Sequence, residues 1–294
     1  MILSEYLTEQ IRLVDAELDR WTPAESTPPS IIHRAMRYSL FAGGKRIRPV
    51  LCMEAARAVS GQCEGVEAAS CAIEMVHTYS LIHDDLPALD NDDLRRGKPT
   101  CHKVFGEAMA ILAGDALLTC AFEVLASVST VPLDRRARMV RELASAAGTP
   151  RGMVAGQVAD LEGEHQAPEP KLLETIHRAK TGALIRASLR IGAIYAGADD
   201  MQFEALSCYG EHVGLAFQIV DDILDVEQSS EALGKTAGKD AQQHKITFPA
   251  VYGLKESHRM AEEERLSAHR VLERFGDRAA RLRELADLIV HRKA

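Results

Sequence analysis

Leu3, Leu7, Ile11, Val14 and Leu18 recur at steps of three or four residues, the spacing that gathers apolar side chains on one face of a helix. The chain therefore opens with an amphipathic helix. Residues 22–29, rich in proline, break the pattern. Ser30 then offers an N-cap for a second helix that runs to Phe41 and stops at Gly43 and Gly44. From Pro49 onward long apolar runs follow one another, interrupted at Gly61, Pro87, Gly97 to Pro99, Val131 to Pro132 and Ala167 to Pro170. No segment alternates convincingly with period two. Alanine and leucine dominate while aromatics are 5%, so the summed propensities favour helix almost throughout. An all-α fold is expected. The charged segment after Lys255 continues as helix through Arg274. No composition shift marks a boundary, and no repeat of solenoid length is present, so residues 1–294 are expected to form a single domain.

Composition narrows the function more than the fold. Hydrophobic residues make up 46% of 294 residues, enough for a substantial core. A formal charge of -8 argues against a protein that coats nucleic acid or an anionic membrane, because both need clustered Lys and Arg. Cys52, Cys63, Cys71, Cys101, Cys120 and Cys208 form no C-x-x-C pair and sit in apolar stretches, which predicts reduced core residues. The opening MILSEYLTEQIRLVDAELDR carries acids throughout and lacks the parts of a signal peptide, so a cytoplasmic location is expected. The most apolar run, Ala108 to Ala126, contains Asp115 and Glu123, which would be costly in lipid. A buried helix of a soluble protein fits it better.

Two acidic clusters stand out against this background. Asp221-Asp222-Ile223-Leu224-Asp225 follows the apolar run Val213 to Val220, which places carboxylates within or at the end of a largely buried helix. Asp221 and Asp225 share one helical face, with Asp222 and Asp225 nearly so, and like charges there repel without a cation. The other cluster, HDDLPALDNDDLRRG from His83 to Gly97, follows a second apolar run, Cys71 to Ile82. Asp84 and Asp90 are six residues apart, about 240° around an ideal helix and so on different faces. Pro87 removes a backbone hydrogen bond, and a bulge there would return Asp90 to the side of Asp84.

Oxygen-only ligands suit a hard cation. Magnesium takes one or two carboxylates and completes its shell with water and substrate phosphates. Either cluster alone reads as well as a solvated acidic helix end; two of them, each behind an apolar helix, favour a magnesium diphosphate site. Cations stand where such a site needs them. Gly43-Gly44-Lys45-Arg46-Ile47-Arg48-Pro49 sets basic residues behind a glycine pair that lets the backbone approach an anion, and Arg95 and Arg96 follow the first cluster. Lys180-Thr181-Gly182 adds an ammonium and a hydroxyl, and Lys235, Lys239 and Lys245 follow the second cluster. Any one lysine reads as an ordinary surface charge; their number carries the argument.

Taken together, GGKRIRP, HDDLPALDNDDLRRGKPTCH, AGDALL, GLAFQIVDDILD and GKTAGKD resemble the isoprenyl diphosphate synthase family, the short-chain trans-prenyltransferases, in the family's order over roughly Ser39 to Leu254. The spacing of Asp84 and Asp90 is similar to the bacterial and plastid branch. Asn91 departs from the unbroken acidic run common in related sequences. The resemblance implies helices around a deep central cavity, and usually a homodimer. It implies that Asp84, Asp90 and Asp221 bind several magnesium ions, with Asp85 and Asp225 supporting, and that these ions clamp an allylic diphosphate. Arg95, Lys180, Thr181, Gln218, Lys235 and Lys245 would hold the same group. Isopentenyl diphosphate would sit with Lys45, Arg48, His77 and Arg96. The implied catalytic set is Asp84, Asp90, Lys180, Thr181, Gln218 and Asp221. Tyr79, five residues before Asp84, would block the channel below, with Ser80 leaving space beside it, as in bacterial-type farnesyl enzymes. HKVFGE and SSEALGKTAGKD are as similar to geranylgeranyl synthases, which keeps a twenty-carbon product as the alternative.

Other classes fit less well. A class I terpene cyclase usually carries a second motif mixing Asn, Ser or Thr with Glu, unlike DDILD. A phosphohydrolase built on His83-Asp84 would need further His and Asp partners, which the sequence does not supply. A non-catalytic prenyl synthase subunit typically lacks one aspartate motif, and both are intact here.

Overall fold

The computed structural model describes residues 1–164, 169–227 and 245–292. Helix makes up 78% of the structure, so the all-α expectation holds. The first helix, α1 (Leu3–Trp21), buries Tyr6, Gln10, Val14 and Leu18, a stripe that shares only its last two members with the apolar repeat read from sequence. Tyr6 is inside because its hydroxyl donates to the buried carboxylate of Glu54. In α2 (Ser30–Leu40) the cap is Pro29 and Ser30 is the first helical residue, with no side-chain cap hydrogen bond. The expected N-cap role of Ser30 is therefore corrected.

The centre is built from helices apolar on nearly every side. α3 (Ile47–Ser60) and α4 (Glu67–Asp84) are separated by the loop at Gly61, and α4 packs along α6 (Glu107–Ser127), with the short α5 (Cys101–Phe105) between them in sequence. α7 (Leu133–Ala147) and α8 (Met153–Gly163) lead to α9 (Pro170–His177), which runs through a π-helical turn, Arg178–Gly182, into α10 (Ala183–Ala196). α10 packs against α3, α7 and the long α11 (Asp200–Glu227). Beyond it lie α12 (Phe248–Tyr252), α13 (Leu254–Val271), a 3-10 turn (Glu273–Ala279) and α14 (Ala280–His291).

Two departures from the sequence reading matter for the site. α4 ends at Asp84 and is not merely kinked; Leu86 to Leu89 loop outward, and the Asp90 amide returns to donate to the Asp84 carbonyl at 2.8 Å. An antiparallel pair, β1 (Leu94–Arg95) and β2 (Lys98–Pro99), then folds back across Arg96 and Gly97, which both have positive φ, as a two-residue hairpin turn demands. Six residues are too few for periodicity to reveal such a hairpin. Asn91 sits at φ 49°, a left-handed conformation that asparagine accepts more readily than most residues.

The cysteines are all free; Cys52, Cys71 and Cys101 are buried, whereas Cys63, Cys120 and Cys208 are half-buried. α6 is long and apolar enough to cross a membrane by length and composition. One face packs on α4, and Ile111 and Leu112 lie exposed on the other.

Candidate functional site

A cavity of about 520 Å3 opens between the end of α4, the β-hairpin, α8, the π-turn and α11. Arg48, His77, Tyr79, Ser80, Asp84, Arg95, Arg96, Lys180, Thr181 and Asp221, all singled out from sequence, line it. Its remaining wall is mainly apolar and includes Leu89, Met153, Val158, Leu161 and Leu184. The lining thus combines charged side chains with a largely apolar wall.

The rim divides into an acidic and a basic half. Burial pushes the Asp84 carboxyl up to about 6; Lys180 and Arg95 pull it down, while Asp90 and Asp85 push it further up. Burial likewise raises Asp85, despite one oxygen accepting from Arg95 Nε at 2.7 Å and Nη2 at 2.5 Å. Arg95 is half-buried, and its bond to Asp85 outweighs the desolvation and keeps it more firmly protonated than usual. Asp90 accepts from Lys245 Nζ at 3.3 Å. Lys180 donates to Asp160 at 2.6 Å, and Lys245 also lies 3.9 Å from that carboxylate.

On α11 the aspartates diverge. Asp221 reaches the cavity and pairs with Arg292 from the chain end, whose guanidinium also stacks on Phe217, 3.9 Å from the ring centroid. Asp222 turns inward, accepting from Gln218 Nε2 and the Phe248 amide, each at 2.9 Å, with His177 3.4 Å away. It braces α11 and does not face the rim. Asp225 is buried, and its Oδ1 has no hydrogen-bond partner among the described residues. Neither Asp85, Asp90 nor Asp225 lines the cavity itself, and Lys235 lies outside the described residues.

The basic half is more crowded than the fold requires. Arg48 is buried, its guanidinium pulled down to about 10 by burial and by Arg96 and Arg292, with Glu74 and Asp221 only partly offsetting them. Its Nε has no partner among the described residues. Burial, then Arg48, Arg96, Arg95 and Arg46, hold the His77 imidazole well below its usual range, so it is neutral. Burial and Arg292 lower Lys45. Arg46 points the other way, to Glu74 at 2.8 Å and Asp15 at 2.9 Å, as part of the core. Gly44, at φ 135°, leaves the space that Arg96 takes: a Cβ there would meet the guanidinium at 2.7 Å.

The π-turn is wedged between two helices. A Cβ on Gly156 of α8 would collide with the Lys180 backbone, and one on Gly214 of α11 would lie 2.9 Å from Gly182 Cα. Thr181 donates to Gln218 at 2.9 Å. π-turns often mark functional sites because they re-aim side chains, and this one points Lys180 and Thr181 at the rim. The Tyr79 ring, 8% exposed, also lines the cavity and packs edge-on against His83 with centroids 5.2 Å apart. His83 Nε2 lies 3.0 Å from the Ile111 carbonyl, in a notch that a Cβ on Gly114 would fill.

Asp160, Phe217 and Arg292 belong to this site and were not singled out in the sequence, and His83, weighed there only as part of a phosphohydrolase motif, joins them. No three His, Cys, Asp or Glu side chains among the described residues form a ready metal shell. The donor set nonetheless fits magnesium, which needs only one or two carboxylates: Asp84 is crowded by acids, and Asp225 keeps an unpartnered oxygen.

Known proteins resemble this chain in sequence and fold. Residues 29–288 match the family model described as polyprenyl synthetase. A heterodimeric geranylgeranyl pyrophosphate synthase large subunit from Arabidopsis chloroplasts is 50% identical over 295 residues, covering 98% of this chain and 79% of that protein. Farnesyl diphosphate synthase of Geobacillus stearothermophilus is 50% identical over 254 residues, 86% of this chain and 85% of that one. A geranyltransferase from Helicobacter pylori, crystallised with magnesium and isoprenyl diphosphate, superposes with a TM-score of 0.84 at 33% identity, over 98% of this chain and 96% of that chain.

Proposed function

The chain belongs to the polyprenyl synthetase family, and from that premise we propose that it joins isopentenyl diphosphate to dimethylallyl or geranyl diphosphate to make farnesyl diphosphate, as one domain spanning residues 1–294. The observation that carries this reading is the cavity itself, lined by the carboxylates of Asp84 and Asp221, by the cations Arg48, Arg95, Arg96 and Lys180, and by an apolar wall, with Tyr79 among the lining residues.

Asp84, Asp90 and Asp221, supported by Asp85 and Asp225, hold magnesium, which when bound neutralises the allylic diphosphate and stabilises it as a leaving group. Arg95, Lys180, Thr181, Gln218, Lys235 and Lys245 bind the same diphosphate and share its growing charge as the carbon–oxygen bond breaks. Lys45, Arg48, neutral His77 and Arg96 hold the isopentenyl diphosphate. Its double bond attacks the allylic carbon, and the proton lost from the new chain passes to the released diphosphate. The apolar wall keeps water from the cation.

Turnover tests the assignment. With isopentenyl and dimethylallyl diphosphates the protein should release diphosphate and lose that activity in excess EDTA; release unaffected by chelation, or no release with magnesium restored, counts against it. Arg48→Gln should raise KM for isopentenyl diphosphate about 10- to 100-fold, the worth of a charge-assisted hydrogen bond, with a smaller change in kcat. Steady-state kinetics with the allylic substrate saturating would measure this. Gly214→Ala should displace the π-turn, lower kcat roughly tenfold through misplaced Lys180 and Thr181, and cost about 1 to 3 kcal/mol in denaturant unfolding.

A twenty-carbon product is the second reading. Ser80 favours it, because its hydroxyl donates back to the His77 carbonyl at 2.8 Å and leaves little bulk beside the Tyr79 ring. We further propose a homodimer built on the exposed face of α6, where Ile111 is 43% and Leu112 49% exposed.

A further inference from the structure

A second cavity, about 240 Å3, lies between α7, the loop before α8 and α10. It shares no lining residue with the central cavity. Arg151, Arg186 and Arg190 line it together with the hydroxyl-bearing Ser145 and Thr149, and Glu142 is its only carboxylate. Such an excess of guanidinium is not a general property of this chain, whose formal charge is -8.

One of these arginines, Arg190, is incompletely satisfied. Arg186 and Arg190 stand four apart on one face of α10, where like charges repel. Arg186 donates to Glu211 at 2.9 Å. Arg190 lies 3.2 Å from Glu142 and packs over Phe203, 4.7 Å from the ring centroid, which fixes its plane. Its Nε is nonetheless buried without a partner among the described residues. Burial lowers its pKa, Glu142 pulls the other way, and Arg186 adds to the penalty. A held guanidinium with an open donor, beside two more and two hydroxyls, suits a tetrahedral oxyanion bound through paired N–H groups. A cavity of about 240 Å3 has room for a diphosphate group.

We propose that this pocket is a second, metal-independent binding site for a diphosphate group. Free diphosphate and the head of a prenyl diphosphate present the same oxygens, and the test separates them. Isothermal titration of the full chain in EDTA with inorganic diphosphate should resolve two binding equivalents, one at the central rim and one here. The double variant Arg151→Gln/Arg190→Gln should weaken one equivalent at least tenfold and leave magnesium-dependent turnover in place. Ser145→Glu, which sets a carboxylate in the pocket while keeping both arginines, should do the same. Arg48→Gln should instead weaken the other equivalent. Repeating the titration with isopentenyl diphosphate identifies the source: loss of the same equivalent means that a prenyl head also enters, and its absence from the wild-type titration restricts the pocket to the free anion. Unchanged diphosphate stoichiometry and affinity in both pocket variants would overturn the proposal. Because turnover is measured separately, that failure is distinct from failure of the prenyltransferase assignment.

Discussion

Asp84→Asn is expected to cut turnover sharply while making the metal-free protein more stable above pH 6. Burial holds the folded-state pKa of Asp84 at about 6, above its ordinary 3.8. An acid raised on folding binds more protons in the native state, so its contribution is most favourable at low pH and declines as pH rises through 6. At pH 8 the charged side chain is a burden of at most about 3 kcal/mol, less after solvent screening. Asparagine removes that burden. In EDTA, the variant's advantage in denaturant unfolding should be largest at pH 8 and vanish near pH 4. Turnover should fall by about 10²-fold or more, because the leaving diphosphate loses a ligand to its neutralising metal. Wild type should gain stability from magnesium with diphosphate by mass action, and the variant should gain less. A variant less stable than wild type at pH 8 would contradict this account of the acidic rim.

Tyr79→Ala is expected to move the product from fifteen carbons to twenty or more. The ring lines the cavity, and His83, lodged in the Gly114 notch, packs edge-on against it. Deleting it opens depth below the reacting carbon. Chromatography of the dephosphorylated products, with geranyl diphosphate as primer and excess isopentenyl diphosphate, would measure the shift. An unchanged length distribution would deny Tyr79 a blocking role.

Both predictions rest on features unequally visible in the sequence. Helical periodicity marked the fold and placed Asp84 and Asp221 at the ends of apolar runs, and Pro87 signalled the excursion that returns Asp90 to Asp84. Periodicity assigns a face but does not say which neighbour occupies it. Thus Arg46, in the same basic run as Lys45 and Arg48, turns to Glu74 in the core, and Asp222 turns from the rim to brace Phe248. Contacts between distant segments left the least trace. Asp160 meets Lys180 from another helix, and Arg292 reaches Asp221 across 71 residues. The hairpin was invisible because its strands are two residues long, and the alternative site on α10 because Arg151 is far from Arg186 in sequence.

The most direct test sizes the products that wild type makes from excess isopentenyl diphosphate with dimethylallyl, geranyl or farnesyl diphosphate as primer, magnesium present. The structure read in this way predicts farnesyl diphosphate as the end product from the first two primers and no extension of the third. Efficient conversion of farnesyl to geranylgeranyl diphosphate would contradict it.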